Sequence, residues 1–228
     1  MSMTGTQDET IPLHLLRLVS PSLPVGAFSY SRGLEYAAEA GWVKDEASAR
    51  DWIHGTLENS FAVLDGALFW RMSEALSRDD SDAFDDADAW LAAGRESREL
   101  QLEDRRMGEA LLTLLADLDV PKAQACLGRP LTYPAAFAIA AHHWSVSPAA
   151  ALKGLMWTIA EGQVAAAMRL VRLGHTAGQR ILIDAVPVIE RAVATARTLA
   201  DDEIGNVSVA MAMASAWHET QYSRLFRS

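Results

Sequence analysis

The chain has 228 residues and a mass of 24.8 kDa, and half of its residues are hydrophobic, enough to bury one substantial core without division into two domains. A formal net charge of −10 and a pI near 5.0 argue against broad binding to nucleic acid or anionic membranes, because both require a positive surface. The single cysteine, Cys126, excludes an internal disulfide framework and any CxxC pair, and a reducing cytoplasm is the expected compartment. No stretch of about 20 uncharged apolar residues occurs, so no membrane span is expected. Residues 1–10 are polar and acidic, without a basic-then-apolar leader. They are expected to form a disordered N-terminal segment before a domain over residues 11–221 and a C-terminal tail over residues 222–228.

In chain order, residues 20–35, SPSLPVGAFSYSRGLE, come first: two prolines, two glycines, four serines and two aromatics predict a structured turn. Ile53, Leu57, Phe61, Leu64 and Leu68 then recur at helical spacing, continued by Met72 and Leu76, and predict one amphipathic helix. Asp79, Asp80, Ser81 and Asp82 interrupt it and offer N-caps to a helix starting near Ala83. Between Arg95 and Glu109 the apolar content falls while the pattern stays helix-compatible. Pro121, Gly128, Pro130 and Pro134 mark a loop-rich middle, followed by an alanine-dominated, closely packed helix over 135–144. Ser147-Pro148 suits a helix start, with the helix ending at Leu173-Gly174. Further helices are expected over 181–200, with Pro187 as a kink or boundary, and over 207–222. Strand-type alternation is scarce, so the expected fold is an all-α, single-domain helical bundle.

The candidates for chemistry are few. No GxSxG nucleophile elbow and no GxxxxGK[ST] phosphate loop is present, so residues 20–35 connect helices rather than carry catalysis. His54 and Glu58 are four apart on a helix and could share a metal, and adjacent His142 and His143 point to different faces. An i,i+4 His–Glu pair is more often a surface contact, and no third ligand is evident. Arg95, Arg98, Arg105 and Arg106 read either as a solvated face or as anchors for a partner's carboxylates. The seven tryptophans fall on helix stripes, where aromatics are usually core. Leu225 and Phe226 stand close to the final residue, where a surface has to cover them; that cover is either the chain's own body or a partner.

Several segments also carry a resemblance. LPVGAFSYSRGLE over 23–35, RESRE over 95–99, YPAAF over 133–137, LGHTAGQ over 173–179 and the ending His218-Glu219 with YSRLFRS over 222–228 resemble, in order, the motifs of the UreF family of urease accessory proteins. Ala27 stands where many relatives have glycine, His175 where LGQTxGQ has glutamine, and Arg172 where proline is common. The resemblance implies an all-α assembly factor, not an enzyme, that dimerises in the cytoplasm. It implies partners of three kinds: a UreD- or UreH-type accessory protein, a UreG-type GTPase and apo-urease, with nickel and GTP belonging to the partner complex and no cofactor or metal on this chain. It assigns partner binding to Pro24, Gly26, Phe28, Ser29, Ser31, Gly33 and Glu35, to Arg95, Glu96 and Arg98, and to Gly174 and Gln179. At the end of the chain it assigns the same role to His218, Glu219, Tyr222, Ser223, Arg224, Leu225, Phe226, Arg227 and Ser228. The alternatives are a helical metal-dependent enzyme using His54, Glu58 and His142 or His143, and a helical adaptor unrelated to urease.

Overall fold

A computed structural model describes residues 12–228, so the expectation of disorder over 1–10 lies outside the described residues. Helix α1 (Leu13–Leu18) leads into a 3₁₀ turn (Ala27–Ser29) and α2 (Leu34–Glu39). Then comes a continuous helical column: α3 (Glu46–Thr56), a π-helical stretch (Leu57–Gly66) and α4 (Ala67–Ser77). Seven helices follow: α5 (Ser81–Ala93), α6 (Arg98–Asp117), α7 (Pro121–Ala125), α8 (Tyr133–His143), α9 (Pro148–Leu170), α10 (His175–Thr198) and α11 (Val209–His218). The described residues contain no strand, and the fold is an all-α bundle.

The predicted stripe is the core face of the column, with Ile53, Leu57, Phe61, Leu64, Leu68 and Met72 almost fully buried. The sequence pattern does not disclose the π-helical stretch in the middle. Its widened turns coincide with a change of partner, because the Asn59 and Val63 carbonyls accept hydrogen bonds from the Val207 and Gly205 amides of the segment leading into α11. At its end Gly66 is required by close packing: a Cβ there would lie 2.9 Å from Met156 Cε and 3.0 Å from the Ala196 Cβ.

Helix α8 is apolar on every side and buried from Tyr133 to Ala141, as a helix in the centre of a bundle should be, between α4, α6 and α9. The expected caps are present, Asp80 accepting from the Ala83 amide and Ser147 from Ala150, and Asp45 adds one the sequence reading did not name by accepting from the Ser48 amide. Three boundaries differ from expectation. Helix α9 ends at Leu170, and Gly174 instead caps the next helix, so α10 begins at His175. Pro187 lies inside α10 and is not a boundary; it sits on the exposed face, where water can satisfy the carbonyl it leaves without a donor. The last helix stops at His218, where the Thr220 and Gln221 amides close a turn onto the Trp217 and His218 carbonyls, and farther on the Leu225 and Phe226 amides donate to Glu35.

One buried acid fixes the entry to α8. Asp88 on α5 accepts from both the amide and the hydroxyl of Thr132, at 3.0 and 2.6 Å, and Thr132 caps α8. Burial raises the Asp88 pKa, with the two Thr132 hydrogen bonds acting in the opposite sense. A raised carboxyl pKa means that the folded chain binds the proton more tightly than the unfolded one, so this group's contribution to stability falls as pH rises above the ordinary aspartate value. Asp88→Asn keeps an oxygen for Thr132 and removes the charge. Its denaturation free energy is expected within about 1 kcal/mol of the native value at acidic pH, with a smaller decline than the native chain as pH rises, measured by urea unfolding across pH.

Candidate functional site

The segments singled out at the two ends of the chain and in its centre meet in the fold. Gly26 and Gly33 both take positive φ, 74° and 80°, a region open to glycine, and these two residues shape the loop between α1 and α2. Gly33 has a second constraint, since a Cβ there would come within 2.8 Å of the Ser215 amide nitrogen where α11 crosses. The crossing brings α11 and the tail against the start of α2 and against the first turns of α6.

Three buried carboxylates organise the meeting point. Glu35 of α2 is 6% exposed and accepts from the amides of Leu225 and Phe226 at 2.6 and 2.8 Å. Glu99 and Glu103, one turn apart on α6, take the other contacts. Glu99 accepts from Arg224 at 2.6 Å, and Glu103 accepts from Arg32 at 2.6 Å and from the Ser228 hydroxyl at 2.7 Å. Fully buried His218 lies between two of the acids, with Nδ1 2.6 Å from Glu99 and Nε2 3.0 Å from Glu35. Both ring nitrogens thus face carboxylate oxygens.

Backbone contacts complete the seal. The Ser228 carbonyl accepts from the Ser31 amide at 2.7 Å and from its hydroxyl, and the Ser29 carbonyl accepts from the Arg227 amide at 2.8 Å. Gln163 of α9 donates to the Ser31 carbonyl at 2.8 Å. The Phe226 ring is buried, with the Arg169 guanidinium 5.0 Å from its centroid. For Phe226 and Ser228, therefore, the cover is the chain's own body. What the tail leaves outward is Tyr222, fully exposed, and Leu225, 54% exposed, together with Ser223, Arg224 and Arg227.

The central arginine-rich motif divides. Arg95 is buried: it grips Asp65 with both terminal nitrogens at 3.0 and 2.7 Å and donates from Nε to Asp104 at 2.7 Å. Burial acts to lower its pKa, but the charges of Asp104 and Asp65 outweigh that and hold the guanidinium ionised. The readings of Arg95 as solvated or partner-facing both fail for the folded chain, because its donors are spent on internal acids; Asp65 is presented by the π-helical stretch. Ser97 pairs with Ser215 at 2.6 Å, and the Arg98 amide donates to Glu219 at 2.8 Å, so the same motif ties α6 to α11. The side chains of Glu96 and Arg98 are exposed, Glu96 accepting from Asn206 at 2.7 Å.

The other assigned residues spread out. Pro24 and Phe28 are exposed on the first loop, Phe28 at 79%. Gly174 and Gln179 sit at the exposed start of α10 and make no side-chain hydrogen bond to the carboxylate cluster; the close packing in that motif is at Gly178, where a Cβ would lie 2.9 Å from the Met168 sulfur. His54 contacts the Ile181 carbonyl at 3.1 Å, Glu58 pairs with Arg191 at 2.7 Å, and His142 and His143 are exposed on α8. Among the described residues no three His, Cys, Asp or Glu side chains group as a metal site. The residues missing from the sequence reading of the site are Arg32, Asp65, Glu103, Asp104 and Gln163. For Glu103 a signal existed, since it follows Glu99 by one helical turn in a stretch otherwise read as solvated.

Replacing Arg95 by methionine keeps much of its volume and strands Asp65 and Asp104 inside the protein. Arg95→Met is expected to lose about 3–5 kcal/mol of stability in a denaturant titration. The exposed Arg98→Ala, whose amide contact is retained, is expected to change stability by less than about 0.5 kcal/mol.

Comparison with known proteins finds relatives along the whole chain. A family model described as UreF matches residues 43–186. A protein of Brucella anthropi named urease accessory protein UreF 2 is 64% identical over 217 residues, covering 95% of this chain and 96% of its own length. Urease accessory protein UreF of Alkalilimnicola ehrlichii is 43% identical over 226 residues, covering 99% of both chains, and that of Hahella chejuensis is 40% identical over 216 residues, covering 95% and 97%. With the segments at 23–35, 95–99 and 218–228 joined in one buried network and its relatives matched over 95–99% of its length, the chain belongs to the UreF family of urease accessory proteins, a family of assembly factors and not of enzymes.

Proposed function

We propose that this chain is the helical scaffold of a urease maturation complex: with a UreD- or UreH-type protein it recruits and modulates a UreG-type GTPase, so that nickel enters apo-urease. The observation that carries the reading is the fixed tail. A chain end normally frays. Here Glu35, Glu99 and Glu103 hold residues 224–228, so that Tyr222 and Leu225 project from an ordered backbone. Apolar side chains on an ordered support lose less conformational entropy when a partner covers them than the same side chains on a free end. Aromatic and arginine residues are also the common anchors of interfaces, and Tyr222, Arg224 and Arg227 lie together on this segment.

In this reading nickel and GTP are held by the partner complex, the chain acts as a homodimer in the cytoplasm, and its effect on GTP turnover comes from biasing the GTPase or supplying a side chain to it. No helix of the described residues is long and apolar enough to cross a membrane. The exposed Arg98 and Phe28 belong to segments braced by the same carboxylates and extend the proposed partner surface.

Removing residues 222–228 would strand buried carboxylates, so a truncation cannot separate folding from docking. The double variant Tyr222→Ala with Leu225→Ser changes only exposed positions. It is expected to keep native helical circular dichroism and thermal midpoint while reducing co-purification with the UreD- and UreG-type proteins at least about tenfold, equivalent to roughly 1.4 kcal/mol. Full complex formation by this folded variant would refute the docking role of the tail. Arg98→Glu is expected to lower urease activation in a strain lacking the native gene without lowering the protein's thermal midpoint; normal activation would leave Arg98 as a solvated side chain.

A further inference from the structure

Helix α9 turns a run of small side chains toward a cavity. The cavity measures about 310 Å³ and lies between residues 18–28 and α9, with Leu18, Leu23, Val25, Phe28 and the ring of Phe226 among its apolar walls. That volume is at the lower end of the range of small-molecule sites, and a mainly apolar lining is what such sites have. On the α9 side the middle of the wall is Gly162, Ala165 and Ala166. A Cβ added to Gly162 would meet no atom within 4 Å, so close packing does not explain the glycine.

Two charged side chains border the chamber, Glu161 and Arg169, one on either side of that small-residue run. They stand about 12 Å apart along the helix axis, farther than the Debye length of about 8 Å at physiological salt, so each acts on a ligand largely by itself. Their surroundings differ. Arg169 is exposed, and its guanidinium already lies 5.0 Å from the centroid of the Phe226 ring. Glu161 is only partly exposed, and among the described residues its carboxylate has neither an ion-pair nor a hydrogen-bond partner. Burial raises its pKa, and no neighbouring cation acts against that. A solvated charge gains little from a counter-ion, whereas a carboxylate that has lost part of its hydration and has no match gains more. The chamber therefore calls for a cation at Glu161 and for apolar contact from Gly162 to Phe226.

We propose that this cavity binds an organic cation, a primary alkylammonium with a short apolar body, whose head pairs with the Glu161 carboxylate while its body lies over Gly162 toward Phe28 and Phe226. The head keeps water on the exposed side of Glu161, and the body removes apolar wall from solvent. This site is separate from the exposed face of the tail and does not depend on the scaffold reading.

The test titrates the full chain at neutral pH with hexylammonium, hexan-1-ol, hexanoate and methylammonium. Hexylammonium is expected to give a one-to-one calorimetric isotherm. Hexan-1-ol, which lacks the charge, is expected to bind about fivefold more weakly, and methylammonium, which lacks the body, at least about tenfold more weakly. Hexanoate would have to place its head at solvated Arg169 and is expected to bind no more tightly than hexan-1-ol. Glu161→Gln keeps the length of the side chain and removes its charge; it is expected to lose about fivefold in hexylammonium affinity and nothing in hexan-1-ol affinity, with an unchanged thermal midpoint. Gly162→Leu fills the chamber from an unobstructed position and is expected to weaken both ligands at least about tenfold while unfolding at or above the native midpoint. Absence of saturable hexylammonium binding, an undiminished hexylammonium affinity in folded Glu161→Gln, or tightest binding of hexanoate would each overturn the proposal. So would a native chain that binds no free amine but loses co-purification with the UreD- and UreG-type proteins on Glu161→Gln, which would assign the carboxylate to a partner's lysine.

Discussion

The pairing of three buried carboxylates with tail donors is the interaction on which the shape of this end of the bundle depends. Glu35, Glu99 and Glu103 would each be costly inside a folded chain without a partner, since a desolvated carboxylate loses its hydration whether or not it is matched. Their partners come from the last eleven residues, through His218, Arg224, Ser228 and two backbone amides, and from Arg32. The relation is reciprocal. The tail has no helix or strand to satisfy its amides; Glu35 accepts two of them and the Ser29 carbonyl a third, while Glu99 and Glu103 hold its side chains. Such a network gives a specific geometry more than it gives net stability.

A second buried ionic cluster lies deeper and does a different job. Arg95 joins Asp65 on the helical column to Asp104 on α6 and so fixes the column against the helix that presents Glu99 and Glu103. One cation between two acids leaves a negative excess, and the second oxygen of Asp104 has no hydrogen-bond partner. The π-helical stretch contributes to the same arrangement, because it offers Asp65 inward while its outer carbonyls tie down the segment that leads to α11. Motifs that look like separate functional elements in the sequence are therefore consecutive layers of one brace: column, α6, α2 with its loop, and tail. The exposed side chains of the tail are carried on residues that are themselves buried.

Much of the bundle was legible in the sequence because helices are local. The stripe from Ile53 to Met72, the caps at Asp80 and Ser147 and the alanine-rich α8 follow from spacing and from side chains acting on their own neighbours. The errors fall where a distant contact overrides a local preference. Pro187 continues a helix because its exposed face lets water serve the freed carbonyl, and beyond the last helix the Leu225 and Phe226 amides go to Glu35, far away in sequence, rather than to a further helical turn. The polar run from Arg95 to Glu109 has the composition of a solvated face, and composition has no record of which charges have partners. Arg95 and Glu99 turned inward, while Arg98 and Arg105 stayed out.

The sequence by itself determined the helical class, the approximate elements and, through motifs spread along the whole chain, the family. Those properties rest on periodicity within one or two turns and on residue identity, both of which a linear string preserves. Only the tertiary structure decided that Phe226 and Ser228 lie under the chain's own cover while Tyr222 and Leu225 stay outside, and that Arg95 is an internal tie. Each of those outcomes depends on which side chains meet across separations of 30 to more than 180 residues, as Arg95 meets Asp65 and Phe226 meets Glu35, and no local pattern encodes such a meeting.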